Sequence, residues 1–401
     1  MYFIDQYKNK YNNKLIINLI KEYDIIYNNY ITLNEIRILI CLLIKHNKID
    51  ILKSILDILF EYDVNSILKL LLYYKNKREI SKNEFKNIIS RENKNKLGQF
   101  INFNIKNNNY VYIYKRKVET TTPLHIACYY RYTEIIKLLI NYRADINIKN
   151  SNNENVLIFM CYYRHIYNVV KLLFEYNIDI HSTDVDGNNP LHILCNAHCD
   201  PDEKLFEYLI KKGLNVNKQN NKGNTPLIEL CYNVREIKEY ILLLIKYGAD
   251  IDLVNNKGET AFFVACKTVK CQIAPLLFDY GANPYIKDNE NNSAIYIFSK
   301  YYFTNTSITD STDLLDFLIE IGFDINETNK DNRSLLMEMS CYNDSCVFNA
   351  YVSRGANIYI KDKNGNTALS NAQSLYNYHV ENYLIEHGAL WKFCNYGKNK
   401  K

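Results

Sequence analysis

His192, Cys195, His198 and Cys199 crowd two imidazoles and two thiols into one short stretch, a donor set that can hold zinc when four such groups converge. Zinc modules draw their ligands from separated pairs, and no second pair stands at that spacing here. Cys266 with Cys271, and Cys341 with Cys346, fare no better. His125 and His192 are the next candidates, as general bases. A base needs a positioned partner and a pocket, and the sequence signals neither. No Gly-rich phosphate loop, His-Glu-x-x-His pair, nucleophile elbow or kinase signature occurs. The expectation is a non-catalytic chain with no metal and no cofactor.

One segment has chemistry by charge. From Lys75 to Lys117 there are 12 Lys or Arg and 3 Glu, a net of +9 in a chain whose net is +5. With Tyr110, Tyr112 and Tyr114, residues 75–117 can hold phosphates and stack bases. No RNA- or DNA-binding motif accompanies the charge, so a solvated lysine-rich helix and linker outweighs nucleic-acid binding.

The 401 residues are 47% hydrophobic, normal for a folded chain. The longest apolar stretch, Ile38 to Ile44, is far short of the roughly 20 residues that span a bilayer. Met1 to Lys10 lacks the apolar core of a signal peptide. These features predict a cytoplasmic or nuclear protein without membrane insertion. Eleven cysteines fit that reading, because five of them (Cys128, Cys161, Cys195, Cys231 and Cys266) recur in one slot and read as packed thiols.

That slot belongs to a repeat. Thr-like residues stand at 122, 155, 189, 225, 260, 293, 334 and 367, with periods of 33, 34, 36, 35, 33, 41 and 33. From Asn155 onward each follows, by twelve residues, a Gly-like position: Arg143, Asn177, Gly213, Gly248, Gly281, Gly322 and Gly355. A connector of constant length implies units stacked in register. Thr or Ser as N-cap and Pro at the first helical position start helix 1 of each unit, as in Thr122-Pro123. Ile135, Leu138, Leu139 and Ile140 mark the apolar face of helix 2. Gly ends helix 2 in the left-handed conformation. The Asp/Asn/Lys/Gly stretch that follows suits a hairpin finger.

Thr122-Pro123-Leu124-His125-Ile126-Ala127, with close copies at Asn189-Pro190-Leu191-His192 and Thr225-Pro226-Leu227, and Gly248-Ala249-Asp250-Ile251-Asp252 with its copies at 143, 213 and 355, resemble the ankyrin-repeat family. The resemblance covers residues 117 to about 391. It implies an all-α solenoid of helix-turn-helix repeats with hairpin fingers, and eight repeats: 117–149, 150–183, 184–219, 220–254, 255–287, 288–328, 329–361 and 362–391, followed by a basic tail, 392–401. In the family the His of the Thr-Pro-Leu-His slot ties helix 1 to the preceding finger, which implies a structural role for His125 and His192. Repeats two, six and seven lack Pro and His, and Arg143 is a poor left-handed residue. Those units are expected to be locally less stable. The extra length of repeat six is expected in a polar loop, Lys300 to Asp313.

Residues 1–97 lack fingers but carry two capping boxes, Thr32-x-x-Glu35 and Ser81-x-x-Glu84. Asn47 to Leu56 resembles helix 2 of a repeat, so this region reads as degenerate helical repeats that cap the stack. Residues 98–116 read as a linker or hairpin.

The resemblance implies a protein partner held on the concave face of fingers and helix 1. The seventh and eighth residues after each Thr-like position fall on that face, and seven of those sixteen are Tyr (129, 130, 162, 163, 232, 301 and 342), where the chain's own usage predicts about 1.4. The candidate groove is Tyr129, Tyr130, Tyr162, Tyr163 and Tyr232, flanked by finger residues Arg116, Glu119, Lys149, Asn152, Asp186, Lys222 and Glu259. Stiff amphipathic rings suit an interface; they equally suit packing between repeats. The function expected is an interaction scaffold. The alternative is a substrate-recruiting adaptor, for example for a ubiquitin ligase, with residues 1–97 engaging the effector, since only 13 residues follow Gly388.

Overall fold

The computed structural model describes residues 40–41, 43–45, 47–50, 52–53, 56, 105–106 and 120–389, the last range apart from 164, 197–201, 234–237, 302–307 and 341–344. The two capping boxes, the tyrosines of the basic strip, Arg116, Glu119, His198 and Cys199 lie outside the described residues. The chain divides into two compact units, Met1–Leu205 and Phe206–Lys401.

Paired helices build both units. In order they are α1 (Pro123–Tyr129), α2 (Thr133–Asn141), α3 (Val156–Met160), α4 (Tyr167–Glu175), α5 (Pro190–Asn196), α6 (Glu203–Lys211), α7 (Pro226–Tyr232), α8 (Lys238–Lys246), α9 (Ala261–Lys267), α10 (Ile273–Asp279), α11 (Ala294–Tyr301), α12 (Ile308–Glu320), α13 (Leu335–Met339), α14 (Ser345–Ser353), α15 (Ala368–Ser374) and α16 (Tyr378–Glu386). Odd-numbered helices are the first of each pair. Most have five to nine residues, too short to persist alone. They persist because they are buried: six of the seven residues of α1 and of α9 are inaccessible, and the first helices stack on one another, α1 on α3 and α3 on α5 in the first unit, α7, α9, α11, α13 and α15 in sequence in the second.

The starts and stops obey local chemistry. In all eight pairs the Thr-like side chain accepts the backbone N–H three residues on, from His125, Ile158, His192, Ile228, Phe263, Tyr296, Met337 and Ser370. This satisfies one orphan donor per helix. Each second helix ends in a left-handed residue, Gly at six positions, Asn177 at φ 57° and Arg143 at φ 66°. Arg143 thus adopts the strained conformation, with its N–H bonded to Ile140 O at 2.9 Å.

Two expectations are modified. Among the described residues the insertion in repeat six is helical: Lys300 and Tyr301 belong to α11, and Ile308 to Asp313 open α12. The hairpin near residue 106 pairs differently from the alternation at 106–109: β1 (Ile105–Lys106) lies antiparallel to β2 (Thr120–Thr121), with Ile105 opposite Thr121. Further toward the amino terminus, the turn at Asn47 matches the turn at Arg131 bond for bond. Asn47 N–H and Lys48 N–H reach Ile44 O and Leu43 O as those of Arg131 and Tyr132 reach Cys128 O and Ala127 O, and both turning residues are left-handed. Leu43, Ile44, Leu52 and Leu56 are fully buried.

The eighth repeat departs from the interior pattern of the others. Six residues after the Thr-like position, seven repeats have buried Cys128, Cys161, Cys195, Cys231, Cys266, Ser299 and Ser340; seven before the Gly-like position they have buried Ile136, Val170, Phe206, Ile241, Ala274, Leu315 and Phe348. The eighth has Gln373 and Glu381, both half-buried, the amide donating to the carboxylate at 3.1 Å. A polar outer face is what a terminal repeat needs.

Candidate protein-interaction surface

Fingers are positioned by one device, repeated seven times. Five residues before each Thr-like position stands Asn150, Asp184, Asn220, Asn255, Asp288, Asn329 or Asp362, and its Oδ1 accepts the N–H groups two and four residues on; in Asn255 these are Lys257 at 2.9 Å and Glu259 at 3.0 Å. Three residues after each, a left-handed Gly or Asn turns the tip. Asn and Asp suit this because their short side chains complete a turn through their own backbone. Neighbouring fingers are joined by single backbone bonds, Val185 N–H to Asn152 O, Asn256 N–H to Lys222 O, and Asn289 N–H to Lys257 O. The bases of the fingers are stitched likewise, for example Asp250 N–H to Asn217 Oδ1 at 2.8 Å.

On this frame Lys149, Asp186 and Lys222 are exposed and Asn152 is half-buried. Glu259 is not on open surface. Its carboxylate, 3% exposed, accepts Lys267 Nζ at 2.6 Å, Tyr232 Oη at 2.5 Å and Asn255 Nδ2 at 2.9 Å. Burial alone would raise its pKa, but these three donors outweigh burial and hold the carboxyl below the usual range. Burial, followed by the Glu259 carboxylate, pushes the Tyr232 phenol up. The exposed residue in register with Asn152, Asp186 and Lys222 is Lys257, each standing three before its Thr-like residue. That count was legible in the sequence.

All five candidate tyrosines are half-buried. In the first unit they form one cluster: Tyr129 meets Tyr130 and Tyr163 edge to face at 5.0 and 5.1 Å, Tyr130 stacks on Tyr132 at 5.6 Å, and Tyr163 leans on Phe159 at 5.2 Å. Tyr162 Oη donates to Asp184 Oδ2 at 3.3 Å. Tyr129, Tyr162 and Tyr163 therefore spend part of their surface on a neighbouring repeat, Tyr130 rests on Tyr129 and Tyr132 of its own, and all four offer the remainder to solvent. Tyr232 lies in the second unit.

The histidines are structural. His125 is buried, with Nδ1 2.7 Å from Thr122 Oγ1 and Nε2 3.1 Å from Glu154 O. The finger it holds is the one that follows its repeat, not the one that precedes it, because Glu154 immediately precedes the next helix 1. Burial lowers its pKa to about 4. His192 is likewise buried, Nδ1 2.6 Å from Asn189 Oδ1. The thiols of Cys128, Cys161, Cys231 and Cys266 are buried and their pKa values are raised by burial, that of Cys231 to about 12, so they are packed rather than reactive. Among the described residues no cluster of His, Cys, Asp or Glu could hold a metal ion, and no helix is long and apolar enough to cross a membrane.

The family model for ankyrin repeats (three copies) matches residues 8–184, 124–219, 157–255 and 191–288, well over half the chain. The chain is an ankyrin-repeat protein. No curated protein matches it. Ankyrin repeats as a class mediate protein–protein interaction, and protein partners follow at that level. Within this ankyrin array the His slot has a second solution: Tyr296 occupies it in repeat six, its Oη donating to Glu338 Oε1 at 2.8 Å and accepting Asn329 Nδ2 at 2.8 Å. The phenol crosses to the following finger as His125 does.

Proposed function

We propose that this ankyrin-repeat protein is a non-catalytic scaffold of the cytoplasm or nucleus, presenting a protein partner with the tyrosine-rich ends of its first helices and the finger residues Lys149, Asn152, Asp186, Lys222 and Lys257. The carrying observation is the clamped finger: seven tips share one turn geometry, so the side chains they display are ordered before binding. Preordering reduces the entropy lost on association. The half-buried cluster of Tyr129, Tyr130 and Tyr163 supports the same reading, since rings locked by neighbours lose little freedom on binding. Residues 1–97 read as degenerate repeats of the same array; the match from residue 8 and the turn at Asn47 support this.

The test is Tyr130→Ala with Tyr163→Ala in the full chain, read against captured partners and the melting temperature. Partner loss at an unchanged melting temperature supports the groove. A lowered melting temperature with partners retained assigns these rings to packing and removes the proposal.

A further inference from the structure

Repeat eight carries a surface that the scaffold reading does not use. Of the ten large apolar residues exposed among the described residues, four lie between 375 and 385: Leu375 at 53%, Tyr376 at 75%, Tyr378 at 63% and Ile385 at 43%. Tyr378, Glu381 and Ile385 stand at i, i+3 and i+7 of α16 and share one helical face. Leu375 and Tyr376 lie in the turn that leads into it. Apolar side chains scattered singly need no explanation, but four exposed on one helix and the turn that leads into it do.

Its charge has one sign. From Asn364 to Ala389 there is no Lys or Arg, and Glu381 and Glu386 are the only charged side chains, in a chain of net +5. The Arg354 guanidinium, on the preceding repeat, is committed to Asp316. Ile385 has a counterpart three residues before every Gly-like position: Ile140, Phe174, Ile210, Ile245, Phe278, Ile319 and Val352 are all buried or half-buried. In the second unit Phe278 uses this position to meet Phe317 of the next repeat edge to face, at 5.7 Å. Ile385 is the one member of this row that is exposed, so the patch continues an interface the array already uses. Full continuation is blocked at its centre by the Gln373–Glu381 pair.

We propose that this end face docks a partner segment carrying aromatic or branched apolar anchors flanked by lysine or arginine. The anchors would lie on Leu375, Tyr378 and Ile385, and the cations on Glu381 and Glu386. An apolar platform edged with Glu381 and Glu386, which pair with no lysine or arginine among the described residues, favours that chemistry over an acidic segment, for which like-charge contact is a penalty. Cation stems also pack well on tyrosine faces.

The experiment uses the full chain and two short labelled peptides, one with Trp, Leu and Phe interspersed with Lys, the other with Glu in place of every Lys, followed by fluorescence anisotropy. The lysine peptide should bind and the glutamate peptide should not. Glu381→Gln with Glu386→Gln, and separately Tyr378→Ala with Ile385→Ala, should each weaken binding by about fivefold or more. Because Glu386, Tyr378 and Ile385 are exposed, circular dichroism should show these variants folded. Tyr130→Ala with Tyr163→Ala should leave peptide binding unchanged. Equal binding of both peptides, unchanged affinity in both repeat-eight variants, or loss confined to the Tyr130/Tyr163 variant would each overturn the proposal. The last result would place the peptide on the groove instead.

Discussion

The Nε2 of His125 lies 3.1 Å from the backbone carbonyl of Glu154, while its Nδ1 lies 2.7 Å from Thr122 Oγ1. A carbonyl only accepts, so Nε2 carries the proton and Nδ1 accepts the threonine hydroxyl. One neutral imidazole thus joins the start of α1 to the finger before α3. The protonated ring would have to place a second donor against that hydroxyl in a buried setting.

Acid should therefore loosen the first unit. The folded-state pKa, about 4 against an ordinary 6.5, is depressed by burial. The stability tied to neutral His125 is fully present above pH 6.5 and is lost as pH falls toward 4, because the unfolded chain binds the proton first. The total is on the order of 3 kcal/mol. Urea melts followed across this window should show a falling midpoint. His125→Gln should lower stability at pH 7 and flatten that dependence; a slope unaltered by the substitution would refute the role.

Asn255 supports one finger through both ends of its amide, accepting from Lys257 and Glu259 backbone and donating to Glu259 and Asn224 side chains. Asn255→Ala leaves these groups in a buried setting without partners and should cost about 2–3 kcal/mol. Asn255→Asp should retain the turn and lose much less of the backbone clamp, though it adds a charge beside Glu259. Chemical denaturation of both variants would rank them.

The two classes of left-handed glycine should differ in tolerance. A Cβ on Gly258, φ 77°, would lie 2.5 Å from Asn289 Oδ1 and 2.8 Å from Asn289 N; on Gly213, φ 101°, it would meet nothing within 4 Å. Both alanine variants carry backbone strain of roughly 1 kcal/mol, and Gly258→Ala adds the clash with the next finger. Its melting temperature should drop further than that of Gly213→Ala.

Buried Glu259 holds Lys267, which is 18% exposed, and Tyr232. Glu259→Gln leaves Lys267 without its carboxylate and should destabilise by about 3 kcal/mol. Tyr232→Phe removes one charge-assisted bond and should cost about 1.5–3 kcal/mol. Thermal melts compared with the Tyr130/Tyr163 pair would separate a ring that anchors a finger from rings that only line it.

Restoring the interior pattern at the last repeat should make the chain sticky. Gln373→Cys with Glu381→Ile restores the kind of small and apolar residues that the other seven repeats bury at these positions. Light scattering should then report self-association at concentrations where the unaltered chain gives none.

Much of the array is legible in the residues themselves. Thr-like caps, left-handed closers and apolar stripes act within one turn of backbone, so Thr225, Gly248 and Leu244 announce their roles without knowledge of neighbours. The clamp at Asn150, Asp184 and their successors was equally local. What spacing could not decide was which side chains point away from the stack. Glu259 stands in an Asn/Lys/Gly finger like an exposed carboxylate, yet Lys267 and Tyr232, on two different first helices, converge on it. Five tyrosines share two adjacent positions of the repeat, and only the tertiary packing divides each ring between neighbour and solvent. Local sequence determines the unit because its energies are short-ranged; burial is settled by residues roughly one repeat away, as Tyr232 is from Glu259, and those meet only when the units stack.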